Sequence, residues 1–334
     1  MDDSRPARVP VDEGAFECPD VAVGHATHPS GGTGCTVMVL PRACPYAVHV
    51  GGGASSLRQV AALVPGHSVT VADAFLVTGG SAYGLDAAGG VLAGLEARGR
   101  GTAVGRMRVP AVPTVALFDL YVGDPDVRPD GAMGAAALAA ARVGTPVEGR
   151  VGAAAAASVG KILGVERASW GGLAVATVRL DGGLVVSALA VVNAFGSVVD
   201  PRTGGFVAGP HDGLGGFVDT EEAILAGALS ARFASSPSNT TIGLIVTNGR
   251  LDSDRCSRAA WIAAQAMPMC LRPAWSAVDG DTVFLAATGE VAAEPHAVGI
   301  AAREALMRAI VRAVTLANVP GSDGPGTLRS EGIG

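Results

Sequence analysis

The sequence predicts an α+β protein whose sheets are covered on their faces by helices. Three features predict it. Strand-length runs are apolar almost throughout, such as Leu173–Leu180 and Thr241–Thr247. The helical stretches are built largely from Ala and Gly. No Pro/Ser-rich linker divides the chain, so one core is expected. Strands apolar on both faces need cover on both, and helices supply it.

The elements follow in order. Residues 1–19 read as a flexible N-terminal arm, and 20–334 as a single domain. Cys35–Leu40 and Tyr46–Val50 read as two strands joined by a turn at Pro41 and Pro45. Asp73–Thr78 reads as a strand. A helix over Ser81–Arg98 follows, with Ser81 as N-cap and Gly99 as its stop. That helix carries Gly84, Gly89, Gly90 and Gly94, which is tolerable where another element packs very closely. Val109-Pro-Ala-Val-Pro113 cannot lie inside a helix. Thr114–Leu120 resembles a strand, and Ala132–Arg142 a helix.

Leu173–Leu180 and Leu184–Val192, split by Asp181-Gly-Gly183, read as a hairpin. Ser197–Asp200 is a further apolar run, and 201–210 is loop-like. Glu221–Phe233 has helical character, and 234–239 is a polar loop. Then come a buried-type strand at Thr241–Thr247, a helix over Asp252–Met267, a strand at Thr282–Ala286 and a final helix over Val298–Ala317.

Composition excludes several function classes. The chain has 334 residues, of which 49% are hydrophobic and only 16% charged. Its 24 Lys and Arg against 30 Asp and Glu leave a net charge of −6. No basic cluster appears, which argues against a nucleic-acid groove. Five cysteines (Cys18, Cys35, Cys44, Cys256 and Cys270) form no CxxC pair, and an odd count argues against a disulfide framework. The six histidines are dispersed, so no metal site can be named, and none is expected. The N-terminus is polar and charged, and no apolar run reaches spanning length. The expectation is a soluble cytoplasmic protein without cofactor, membrane or nucleic-acid partners.

Lys161 is the most informative residue, because it is the sole lysine beside 23 arginines. A desolvated lysine can lose its proton, whereas arginine cannot. Its setting, Ala153-Ala-Ala-Ala-Ala-Ser-Val-Gly-Lys161, is small and apolar. A chance surface lysine is the competing reading. Ser158-Val-Gly-Lys161 spells SxxK, but the Lys-Thr-Gly strand that accompanies SxxK in serine β-lactamases needs a second lysine. Val77–Asp86 has the look of a dinucleotide turn, yet its glycines are out of register and come late in the chain. The remaining possibility is that Lys161 supports a nucleophile elsewhere.

Asn239-Thr-Thr241 sits where a polar loop meets an apolar strand. If the bond before Thr240 is cut, the new α-amine, with a pKa of about 7.7–8.0, can serve as the base that a Thr hydroxyl needs. A strand-entry Thr pair making turn hydrogen bonds explains the same residues. Asp279-Gly-Asp281 places two carboxylates at a strand entrance, either as a pair that orients the nucleophile and an ammonium or as an Asx turn. Asn193, alone in an apolar run, is either an oxyanion donor or a satisfied core amide.

Together these pieces resemble the L-aminopeptidase/D-esterase family of self-processing hydrolases, which includes β-peptidyl aminopeptidases and the nylon-oligomer endo-hydrolase. Five stretches in this order carry the resemblance: Leu76–Leu85, Val109–Pro113, Leu189–Ala194, Asn239–Gly243 and Asp279–Phe284. The resemblance implies an αββα sandwich, with two sheets stacked face to face between helices. It implies autocleavage between Asn239 and Thr240, giving chains 1–239 and 240–334. It places the nucleophile at Thr240, with Lys161, Asn193, Asp279 and Asp281 around it. The implied substrates are small peptides, amides or esters, and the implied assembly is a tetramer of processed pairs. An acyltransferase of the ornithine acetyltransferase type and an uncut, non-enzymatic scaffold are the alternatives. Two departures stand out. The Arg-Gly-Gly-x-Pro-Gly-Thr-x-Glu-Thr stretch common in relatives reads Val50–Gln59 here, and Phe118 stands where the nylon branch has a tyrosine.

Overall fold

The computed structural model describes residues 9–60, 70–228, 239–319 and 324–325. The expectations of helix beyond residue 228 and of a polar loop over 234–238 lie outside the described residues.

The architecture is helix, sheet, sheet, helix. The strands that build it are β1 (Ala22–Thr27), β2 (Gly34–Val50), β3 (Val71–Thr78), β4 (Thr114–Ala116), β5 (Gly172–Leu180), β6 (Leu184–Asn193), β7 (Thr240–Arg250) and β8 (Thr282–Ala292). The covering helices are α1 (Ala87–Ala97), α2 (Gly131–Ala140), α3 (Ser253–Ala264) and α4 (Pro295–Ala317). One sheet runs Val11–Glu13, β5, β6, β7, β8 and the C-terminal part of β2, with only β7 and β8 parallel. The other runs β1, the N-terminal part of β2, β3, β4 and Ser56–Arg58.

Alternation along the strands sorts the core into three layers. Leu189 and Val191 of β6, Ile242, Leu244 and Val246 of β7, and Phe284 of β8 face Met38, Phe75 and Val77 of the other sheet. Their neighbours Ala188, Ala190, Ile245, Val283 and Leu285 pack under α3 and α4. Val37, Ala74 and Leu76 pack under α1 and α2. Period-two alternation with both faces apolar is what a sheet covered on both sides requires.

The Ala/Gly-rich helices pack as their composition suggested. A side chain at Gly90 of α1 would stand 1.8 Å from the Gly131 carbonyl oxygen, and one at Gly134 of α2 would stand 2.0 Å from that of Ala87. The two backbones touch, and only glycine permits it.

Several expectations are corrected. Residues 34–50 form one strand rather than a hairpin. A register shift between Val39 and Cys44 lets β2 pass from one sheet into the other. The bulge takes Pro41 out of the ladder, where its missing N–H costs no ladder bond. Ser81 does not cap a helix. It has φ 55 and opens a four-residue turn to Gly84, and α1 starts afresh at Ala87. The strand at 114 ends at Ala116, and 201–210 contains a short strand, Phe206–Ala208. Within the expected arm, residues 11–18 are docked. Val11–Glu13 pairs with β5, Phe16 is buried, and the Cys18 amide donates to Ser187 Oγ at 3.1 Å. Among the described residues, no helix is long and apolar enough to cross a membrane.

Candidate active site

The site lies at one end of the layer between the sheets. Thr240 opens β7, and Asn193 closes β6 directly opposite it in antiparallel register. By alternation both side chains continue the row that faces the second sheet. Asp279–Asp281 leads into β8, the parallel neighbour of β7, and Asn239 bridges Asp279. Lys161 arrives from a separate turn. Gly160 before it has φ 75 and lies against Pro210, so a side chain there would clash. The Lys161 amide then bonds the Phe195 carbonyl at 3.3 Å, two residues beyond Asn193. The fold therefore brings together all five residues singled out in the sequence. All five are buried, as is Asn239.

The Thr240 hydroxyl donates to the carbonyl oxygen of Asn239, the residue before it. The same oxygen accepts the Gly280 N–H at 2.8 Å. Asn193 Oδ1 accepts from the Ser158 amide at 2.9 Å and from Lys161 Nζ at 3.1 Å. Asn193 Nδ2 donates to the Phe118 carbonyl at 2.8 Å, which uses one of its two hydrogens. Lys161 Nζ also reaches the carbonyls of Ser158, Asn193 and Ala194, at 2.6, 3.2 and 3.2 Å.

The aspartates are held chiefly by backbone amides. Among the described residues no ion pair joins either one to Lys161. Asp279 accepts from the amides of Phe195 and Ser276, both at 3.3 Å, and from the Ser276 hydroxyl. Asp281 accepts from the amides of Thr241 at 2.7 Å and Trp275 at 3.2 Å. Each carboxylate thus ties the strand ends around Thr240 to the 275–276 turn.

Burial dominates the electrostatics. It pulls the Lys161 ammonium down to about 7, against the pull of the Asp279 charge. It pushes Asp281 up to about 8, helped by the adjacent Asp279 charge. Asp279 is also raised by burial, opposed by its bonds to Ser276 and Phe195 and by the Lys161 charge. Burial thus disfavours the charged form of all three groups.

Sequence reasoning missed Gly280, and it weighed Ser158 only for its hydroxyl, whereas its backbone amide and carbonyl meet Asn193 and Lys161. Gly280 N–H points at the Asn239 carbonyl, and its missing side chain makes room for Thr240. A side chain there would stand 2.5 Å from Thr240 Oγ. The signal was present in Asp279-Gly-Asp281, but the carboxylates drew the attention. Phe118 contributes its carbonyl, while its ring pairs with Tyr121 at 4.8 Å.

Comparison with known proteins places this chain in a family. The model of peptidase family S58 matches residues 16–324. An uncharacterized aminopeptidase of Mycobacterium bovis is 39% identical over 302 residues, covering 84% of this chain and 85% of its own. A 6-aminohexanoate-oligomer endohydrolase of a Kocuria species is 33% identical over 285 residues, covering 83% and 75%. In fold, a Burkholderia β-aminopeptidase superposes with a TM-score of 0.65 at 22% identity, over 95% of this chain and 93% of that one. The L-aminopeptidase D-Ala-esterase/amidase of Ochrobactrum anthropi, described as a variant of the Ntn-hydrolase fold, gives 0.63 at 15%, over 91% and 86%. The chain belongs to peptidase family S58, the L-aminopeptidase/D-esterase group, and is a hydrolase of peptide or amide bonds.

Proposed function

We propose that this hydrolase activates itself by cutting between Asn239 and Thr240, and then uses Thr240 as an N-terminal nucleophile on small peptides, amides or esters. The observation that carries the reading is the Thr240 hydroxyl against the Asn239 carbonyl, whose oxygen already takes the Gly280 N–H at 2.8 Å.

In the precursor, Thr240 Oγ attacks the Asn239 carbonyl carbon, and the Gly280 amide stabilises the oxyanion. The C–N bond to Thr240 breaks as its nitrogen takes up the proton. Water then hydrolyses the resulting ester, releasing the Asn239 carboxylate and regenerating the Thr240 hydroxyl beside its free amine. In the mature enzyme that amine accepts the hydroxyl proton as Oγ attacks the substrate carbonyl. Asn193 Nδ2 offers its second hydrogen to the oxyanion. Lys161 polarises Asn193 through Oδ1 and, with a pKa near 7, can relay a proton. Asp279 and Asp281 fix the strand ends that carry these groups. Water completes turnover.

The named activities of the relatives, an aminopeptidase and an oligoamide endohydrolase, support a small amide substrate. Five buried free thiols support a reducing, cytoplasmic setting. Self-association into a tetramer of processed pairs is part of the proposal. Exposed Trp261 and Ile300, on the adjoining helices α3 and α4, support it. The test is Thr240→Ala, which should give an intact chain inactive on amides and esters; a cut or active variant overturns the reading.

A further inference from the structure

We infer that Ser55 is a substrate-positioning residue whose hydroxyl bonds a second, uncharged amide in the acyl part of the substrate, beside Thr240. The inference rests on the function proposed above and adds to it a substrate class and a residue.

Ser55 sits against the nucleophile. The place a Gly280 side chain would occupy lies 3.3 Å from Ser55 Cα and 2.5 Å from Thr240 Oγ. The loop that carries Ser55 is locked onto the aspartate segment. Gly51 and Gly52 amides donate to the Asp281 carbonyl at 3.0 and 3.3 Å, and Ala54 donates to that of Asp279 at 2.8 Å. A side chain at Gly52 would stand 2.2 Å from the Asp279 carbonyl oxygen, so the two backbones are in contact. After Ser55 the chain enters Ser56–Arg58, which pairs with β4, and β4 leads to the Phe118 carbonyl that holds Asn193. Ser55 therefore joins the loop bonded to the aspartate segment to the strand paired with β4.

Its Oγ is buried and has no hydrogen-bond partner among the described residues. A buried hydroxyl left unpaired is destabilising, so native proteins keep few of them, and those at functional sites call for an explanation. Thr241 Oγ is also unpaired, but it lies on the opposite face of β7, toward the helices. The charged side chains around Thr240 are engaged. Both oxygens of Asp279 and of Asp281 accept backbone amides, Lys161 bonds Asn193 and three carbonyls, and the second Nδ2 hydrogen of Asn193 is assigned to the oxyanion. Ser55 Oγ has capacity left for another part of the substrate. A hydroxyl both donates and accepts and carries no charge. That matches the N–H or C=O of a neutral amide one step along the acyl chain.

The experiment compares two anilides with the processed enzyme. One is an N-acetylated aminoacyl p-nitroanilide; the other has the acetamide N–H replaced by CH2. Wild type should prefer the acetamide. Ser55→Ala and Ser55→Gly should each lower kcat/KM for it about tenfold, chiefly through KM, and leave the carbon analogue within about twofold. The Ser55→Ala protein should melt no lower than wild type, because an unpaired hydroxyl has been removed. Equal cleavage of both anilides by wild type, cleavage of neither, or equal losses on both in the variants would overturn the inference. Slowed processing with unchanged mature kinetics would also overturn it. An uncut wild-type chain is a separate result and defeats the underlying reading instead.

Discussion

Gly280→Ala isolates the geometry of self-cleavage from its chemistry. The added methyl would stand 2.5 Å from Thr240 Oγ and 3.3 Å from Thr240 Cγ2. Carbon and oxygen in contact need more than 3 Å, so the hydroxyl must move by roughly 1 Å. Gly280 does not have a positive φ, so alanine fits its backbone without strain. The N–H to the Asn239 carbonyl is also kept. The cheapest relief is rotation of Thr240 about χ1, costing about 0.5–1.5 kcal/mol, which the fold can absorb. A reacting group displaced by about 1 Å loses on the order of 100-fold in rate. The assay is a time course of the full-length band on a denaturing gel after translation or refolding, with thermal melting as the control for folding. Processing should slow by about two orders of magnitude with a shift in melting of only a few degrees. Wild-type processing in Gly280→Ala would refute the placement of Thr240 Oγ against this carbonyl.

Other expectations follow from the same contacts. Asn193→Ala removes the proposed oxyanion donor, and kcat of the mature enzyme should fall about 10²–10³-fold. Lys161→Met should fold and lose the inflection near pH 7 in kcat/KM that the wild type should show, because the group responsible is gone. Asp281 titrates at about 8 in the fold against an ordinary value near 4, so the folded state holds its proton longer than the unfolded chain does. Its contribution to stability is therefore lost as pH rises from 4 toward 8. The melting temperature of wild type relative to Asp281→Asn should fall across pH 4 to 7, and a difference that rises or stays flat would contradict the burial of that carboxyl.

Much of this was legible in the sequence, because some signals are local. The strands β5 to β8 announce themselves as apolar runs, and Asp181-Gly-Gly183 marks the hairpin turn. The lone Lys161, the Asn193 amide in an apolar strand and the Asp279/Asp281 pair each looked ambiguous alone. They gained meaning only when motif order tied them to Thr240. What stayed hidden depends on register and on close approach. Pro41 and Pro45 looked like a turn because nothing local reveals that β2 bulges and crosses between sheets. Ser81 looked like a cap, but Asp119 holds the turn instead, accepting the Gly80 amide at 2.7 Å. The aspartates read as an orienting pair or an Asx turn, and nothing local reveals that their oxygens meet backbone amides from β7, from Phe195 and from a turn at 275–276. Gly280 and Ser55 act through a missing side chain and an unpaired hydroxyl, and neither leaves a trace in residue type alone.

The most direct test of the central claim is the intact mass of the purified wild-type protein under denaturing conditions, with N-terminal sequencing of each species. The account predicts two chains, residues 1–239 and 240–334, the second beginning Thr-Thr-Ile-Gly. A single stable chain of 33.0 kDa would contradict it, since Thr240 would then have no free amine to act as its base.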